Sequence, residues 1–271
     1  MLDAGKQGEC AMQVREVLLA GRNELSRRRL LGSASTIAAS IVVATAFPRR
    51  AVSQTPSASP TASVTAIDTL LEPDETMLQK ARAANARLRQ TFPKGFALDE
   101  THQPHISTLQ RYVRTADLEN IYGAVTKILA DERPATWKLT AYKYYFIPYK
   151  NIGLAGIVIK PTEDLRRFQQ KLIDAIAPFT AKTGTATAFV TTKEDPDINK
   201  PTINYVAKFV PASSGVLFNP HVTIGIASQD FLKKLLKEKF DEFTFSPTGV
   251  SVFHLGNFGT AREKLKSWSL T

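Results

Sequence analysis

Cysteine is all but missing from this chain: Cys10 is the only one in 271 residues. A lone thiol excludes an intrachain disulfide and a cysteine-ligated zinc site. Histidine is scarce as well, with four copies. The chain shows no Gly-rich phosphate loop, no nucleophile elbow and no zinc motif. Long apolar runs are also lacking. Leu30 to Ala46 is the nearest approach, and its hydroxyl residues and length of about 17 make it marginal for a bilayer span. Acidic charge is in the minority, with 25 Asp and Glu against 35 Lys and Arg, for a net charge of +10. Such a balance suits anionic partners without specifying one.

Part of the basic excess sits at the N-terminus, where residues 1–53 hold eight Lys and Arg and four Asp and Glu. Ser26-Arg27-Arg28-Arg29-Leu30-Leu31 resembles the twin-arginine export motif. Small-x-small cleavage candidates follow at Ala44-Thr45-Ala46 and Ala51-Val52-Ser53. Residues 1–53 therefore read as a twin-arginine signal peptide, cleaved after Ala46 or Ser53. That reading makes the export machinery a partner and the periplasm the location, with no stable membrane insertion after cleavage. An uncleaved membrane anchor is the rival reading. Cys10 precedes the arginines, so the exported domain would hold no cysteine. Residues 54–71, rich in Ser, Thr, Ala and Pro, read as a flexible linker, and 72–271 as the domain.

Within the domain, Pro73-Asp74-Glu75 opens a helix to about Gln90, with Met77, Ala81, Ala84 and Leu88 as its apolar stripe. His105 to Val113 reads as a strand, and Thr115 as the cap of a helix carrying Leu118, Ile121, Tyr122, Val125 and Ile128. Strands follow at Trp137 to Pro148 and Gly153 to Lys160, then a helix capped by Thr162. Ile203 to Val210 fits either strand or short helix. His221 to Ala227 is a strand, and Ser228 caps the next helix. Phe243 to Ser246 and Val250 to Leu255 are strands around Pro247-Thr248-Gly249. The order of histidine-bearing strand, capped helix and further strands thus occurs twice. Short turns between neighbouring strands favour antiparallel sheets, so the expected class is α+β, with two pseudo-symmetric lobes around a groove.

The most informative pattern is a four-residue frame that occurs twice: Pro104-His105-Ile106-Ser107 and Pro220-His221-Val222-Thr223. Two of the four histidines share it. Side chains alternate along a strand, so each histidine faces the same way as the hydroxyl two positions on. Two such pairs across one groove could hold a phosphate and move protons on either side of it. A neutral imidazole takes a proton from an attacking hydroxyl or water, and a charged one gives a proton to the leaving oxygen. His105 and His221 are the catalytic candidates, with His221 assigned as base and His105 as acid; the near-symmetry leaves that order close to even. Ser107 and Thr223 are the candidates for hydrogen bonds to phosphate oxygens. The spacing is no zinc-ligand pattern, so neither metal nor other cofactor is expected.

The doubled histidine-x-Ser/Thr motif, 116 residues apart, resembles the 2H phosphoesterase superfamily, which includes 2'-5' RNA ligase-like proteins and 2',3'-cyclic nucleotide phosphodiesterases. Phe218-Asn219-Pro220-His221-Val222-Thr223-Ile224-Gly225 is similar to its second motif, and Val250-Ser251-Val252-Phe253-His254-Leu255-Gly256 to its closing strand. The resemblance implies a bilobal fold of two antiparallel sheets with the histidines in the central groove. It also implies metal-independent chemistry on a phosphodiester, commonly opening a 2',3'-cyclic phosphate. The RNA-ligase branch carries an arginine or aromatic residue a few positions beyond each histidine. The positions near Gln110 and Ile226 do not match it. Arg111, Tyr112, Lys143 and Tyr145 are the alternative candidates for base or phosphate contact.

The expected ligand is a phosphodiester small molecule or an RNA end, bound by a monomer. Two further functions remain open: a nucleotide-binding module without catalysis, and a cytoplasmic enzyme of RNA end-processing or 2'-5' ligation. Plainer readings suit other residues. His102 reads as a solvated loop residue and His254 as a packing residue. Tyr142, Tyr144, Tyr145 and Phe146 read first as core, and Lys233 to Lys239 as a solvated helix face.

Overall fold

The computed structural model describes residues 63–193 and 195–270. The arginine motif, both cleavage candidates and the first part of the expected linker lie outside the described residues. The elements run β1 (Val64–Pro73), α1 (Glu75–Thr91), β2 (Ile106–Arg114), α2 (Leu118–Asp131), β3 (Leu139–Tyr149), β4 (Ile152–Ile159) and α3 (Glu163–Ile176). They continue with α4 (Lys200–Ser213), β5 (His221–Ser228), α5 (Gln229–Leu235), β6 (Phe243–Phe245), β7 (Pro247–Leu255) and β8 (Ala261–Ser269).

Local chemistry explains most of these boundaries. The Asp74 carboxylate accepts from the Met77 amide at 3.3 Å and starts α1, whose stripe of Met77, Ala81, Ala84 and Leu88 is buried. Thr162 caps α3 through the Leu165 amide at 3.2 Å, and Ser228 caps α5 through the Phe231 amide at 3.3 Å. Asn199 accepts from the Thr202 amide at 2.8 Å, which resolves the ambiguous Ile203 segment as helix α4. Thr115 is not the cap of α2. A short 3-10 turn over Thr115–Asp117 intervenes, and the Thr115 hydroxyl pairs with that of Thr65 at 2.8 Å.

The strands form two four-stranded antiparallel sheets, ordered β2-β1-β7-β8 and β5-β4-β3-β6. With the helices they make an α+β architecture, as expected. Three expectations need correction. Residues 64–71 are not linker: they form β1, a central strand of the first sheet, nearly all of it buried. Burial on both faces removes the apolar-polar alternation that marks a strand, and the Ser/Thr-rich tract before it extends the linker signal. The expected turn at Pro247-Thr248-Gly249 is part of β7, and the strands on either side of Ser246 do not share a sheet, because β6 pairs with β3 and β7 with β1. Last, the lobes are not the two halves of the sequence, since each sheet takes strands from both.

The main core gathers α1, α2 and α3 against the sheets through residues such as Ile67, Leu71, Met77, Leu109, Phe168, Leu172, Val222 and Val250. A smaller cluster of Ala66, Tyr112, Phe189, Val206 and Leu255 lies under α4. Among the described residues no helix is long and apolar enough to cross a membrane.

Candidate active site

Both motif strands are edges, β2 of the first sheet and β5 of the second, and the two edges lie beside each other. Each strand carries a β-bulge at the third position after its histidine. In β2 the register steps from Ser107 to Leu109 across Leu70 and Thr69; in β5 it steps from Thr223 to Gly225 across Gly156 and Ala155. A bulge re-aims the side chains that follow. Here it brings the second and fifth positions after each histidine to one face: Ser107 with Gln110, and Thr223 with Ile226.

The two imidazoles are held alike. His105 Nδ1 lies 2.7 Å from the Gln103 carbonyl, and His221 Nδ1 lies 2.8 Å from the Asn219 carbonyl. A carbonyl only accepts, so each Nδ1 carries the hydrogen and each Nε2 is left to gain or lose a proton. Both rings are half-buried. The pKa of His221 is held below the usual histidine value, first by burial, against the opposing Asn219 hydrogen bond, and further by the charge of His105. The charge of His105 is therefore felt at His221.

Electrostatics breaks this symmetry. Asp68 of β1 pairs with Gln110, and Leu154 of β4 holds the equivalent place opposite Ile226. Asp68 is wholly buried, with its Oδ2 4.0 Å from His105 Nε2. That oxygen accepts from the Ser107 hydroxyl at 2.6 Å and from Gln110 Nε2 at 3.0 Å. Burial pushes the Asp68 carboxyl up to about 6, against the pull of His105, Ser107 and Gln110. Among the described residues, Asp68 Oδ1 and Gln110 Oε1 have no partner. Glu72 is also on the His105 side. Burial works to raise its pKa, but hydrogen bonds from Lys264 at 2.8 Å and Ser251 at 2.7 Å, with the charges of Lys264 and His105, bring it below the ordinary value. The matching position on the His221 side is Val158, the direct cross-strand partner of His221.

The other expected site residues separate. Tyr145 stands edge-on to His221, ring centres 4.9 Å apart. Its cross-strand partner is Gly156, where any side chain would collide with the Tyr145 ring, so this glycine makes room for the tyrosine beside the histidine. Lys143 shares the cross-strand row of Val158 and His221, but its ammonium lies over Tyr142, 5.1 Å from the ring centre. Arg111 is not a site residue. It follows Gln110 and so faces the other side of the sheet, where it donates to the Ile173 carbonyl at 3.1 Å. Tyr112 belongs to the smaller core cluster and donates to the Ile203 carbonyl at 2.9 Å. Ser107 is present, but its hydrogen is directed to Asp68.

The bland readings fare unevenly. His254 lies 2.9 Å from the Ala188 carbonyl, a packing role. His102 is half-buried rather than solvated, stacked on Phe96 at 4.5 Å. Tyr144 and Phe146 pack against the core. Among the described residues, no three His, Cys, Asp or Glu side chains converge as metal ligands. Asp68 is the residue that the sequence reading missed; a lone carboxylate inside Ile67-Asp68-Thr69-Leu70-Leu71 was the available signal.

No protein-family model and no curated protein matches the chain. Solved structures similar to it include TT0787 of Thermus thermophilus, with 14% identity and a TM-score of 0.48 over 76% of this chain and 98% of that one. E. coli LigT complexed with 3'-AMP shows 12% identity and a TM-score of 0.36, covering 77% of this chain and 98% of that one. Kluyveromyces marxianus Usb1 shows 11% identity and a TM-score of 0.36, covering 74% and 97%.

Proposed function

We propose that this protein is a metal-independent phosphodiesterase that hydrolyses 2',3'-cyclic phosphates of nucleotides or RNA ends. The observation that carries the reading is the matched pair of imidazoles, each fixed by a backbone carbonyl at Nδ1 and open at Nε2. The unequal surroundings support one order of roles. His221 has Val158 as its cross-strand partner and its pKa lowered, so it starts neutral and acts as the base. His105 has the Asp68 and Glu72 carboxylates beside it, so its cation has counter-charges and it acts as the acid.

In the reaction a water attacks phosphorus as His221 Nε2 takes its proton. The bond to one ribose oxygen breaks, and His105 Nε2 gives that oxygen a proton. The product is a phosphomonoester with one free hydroxyl. His221 ends charged and His105 neutral, and exchange with solvent resets them. Thr223, whose cross-strand partner is Gly156, serves as the hydroxyl donor to a phosphate oxygen. Ser107 holds Asp68 in place while the carboxylate is ionised. Tyr145, edge-on to His221, is the candidate for contact with the base or ribose.

The test is hydrolysis of 2',3'-cyclic nucleotides in EDTA. Turnover is expected, with a loss of about 10²–10⁴-fold in either His105→Ala or His221→Ala. Unchanged activity in either variant removes the assignment, and tight binding without product favours a nucleotide-binding module. The same proposal takes residues 1–53 as a twin-arginine signal and the periplasm as the location. Cell fractionation that finds the uncleaved chain in the cytoplasm contradicts that part alone and favours RNA end-processing.

A further inference from the structure

A bulge leaves the carbonyl of its extra residue without a ladder partner. In this protein both orphaned carbonyls are taken by amide side chains from buried helix positions. Gln169 of α3 donates to the Thr108 carbonyl, the bulge of the His105 strand, at 3.1 Å. Asn85 of α1 donates to the Ile224 carbonyl, the bulge of the His221 strand, at 2.8 Å. Both side chains are nearly wholly buried, at 1% and 5% exposure, in helix faces that are otherwise apolar.

Each amide also makes a second contact, and these contacts cross. Gln169 donates to the Ser213 carbonyl at 2.9 Å, at the C-terminal end of α4, from which a 3-10 turn over Gly215–Leu217 leads on to Pro220-His221. Asn85 donates to the Phe96 carbonyl at 3.0 Å and accepts from the Leu98 amide at 3.3 Å, in the loop that leads into Pro104-His105. Gly225, at φ +134°, belongs to the same device: a Cβ there would stand 2.8 Å from Asn85 Nδ2. An apolar residue would suit the packing of either helix position better than an amide. Packing alone therefore does not explain two amides that each bridge the same pair of features.

We propose that Asn85 and Gln169 are crossed positioning residues, each tying the bulge of one histidine strand to the main chain that enters the other, so that together they set the separation and aim of the imidazoles. The proposal rests on His105 and His221 acting as one site. Loss of either amide frees both ends of its tie, so a change at one helix is felt at both histidines.

The test is histidine nitrogen NMR on the full chain, which reads imidazole position and titration whether or not the protein hydrolyses anything. Asn85→Leu and Gln169→Met keep the side-chain volume but remove the donors. Asn85→Asp and Gln169→Glu keep the shape and serve where the apolar variants fail to fold. Met77→Ala in α1 and Leu172→Ala in α3 lower stability by lost packing and serve as controls. The expected result is that each amide variant shifts the resonances of both His105 and His221. Where cyclic-nucleotide turnover is measurable, kcat falls at least about tenfold with KM within about twofold. The controls, at matched loss of Tm, leave both signals and kcat near wild type. Movement of only one histidine, or equal movement in the controls, overturns the proposal. Absence of turnover with both signals shifted overturns the hydrolase reading and leaves the ties standing.

Discussion

Ser107 gives its hydroxyl hydrogen to Asp68, with Oγ 2.6 Å from the buried Oδ2. One hydrogen cannot serve a carboxylate and a phosphate at once. While Asp68 is ionised, the two hydroxyls of the doubled motif are therefore unequal. Thr223→Ala is expected to reduce kcat/KM for a cyclic nucleotide by about tenfold or more, and Ser107→Ala by distinctly less. Steady-state kinetics of the two variants above pH 7 checks this; equal losses contradict it.

Asp68 also governs stability. Its carboxyl titrates at about 6 in the fold against 3.8 unperturbed. Well below pH 3.8 the group is protonated in folded and unfolded chains alike and costs nothing. Between these values the folded protein binds more protons, so stability falls as pH rises, by up to about 3 kcal/mol at pH 7. Asp68→Asn is expected to raise Tm at pH 7 and leave it unchanged near pH 3. It is also expected to lower kcat by about 10- to 100-fold, because the His105 cation loses its buried counter-charge. Denaturation at several pH values measures the first effect, and turnover the second.

In the proposed mechanism the lowered pKa of His221 sets the acid limb of the rate profile. As the base it works neutral, so kcat/KM is expected to fall only below the usual histidine value near 6.5. His221→Ala removes that limb along with most of the rate. A rate that rises as the pH drops below 6 places the base elsewhere.

Gly156→Ala tests the wall beside His221. The added methyl meets the Tyr145 ring and approaches the Val222 carbonyl to 3.0 Å, so the tyrosine has to move off the histidine. The expected result is a higher KM and a changed His221 titration, with a smaller loss of kcat. Near-UV circular dichroism and kinetics report it together.

Much of this was legible in the sequence, for identifiable reasons. The histidine frame is a short-range pattern on strands whose alternation survives. Thr162 and Ser228 are caps read from neighbouring residues, Pro73-Asp74-Glu75 marks a helix start, and the stripe from Met77 to Leu88 has helical period. The missing parts depend on distant pairing. β1 has both faces covered and follows a low-complexity tract, which hid Asp68 with it. β8 is a largely exposed edge strand rich in charge, with no apolar alternation to read. The bulges that align Gln110 with Ser107 are a property of register, which no single strand displays. Asn85 and Gln169 carry no sequence signal, because a polar residue in an apolar stripe looks like an interruption until its carbonyl partners are known.

The most direct measurement of the central claim follows the nitrogen resonances of all four histidines while a nucleoside 2'-monophosphate is added. A phosphate seated between His105 and His221 moves both Nε2 signals along one binding curve and leaves His254 in place. Two unrelated curves, or a response from only one of the pair, would mean that the imidazoles do not share a phosphorus centre.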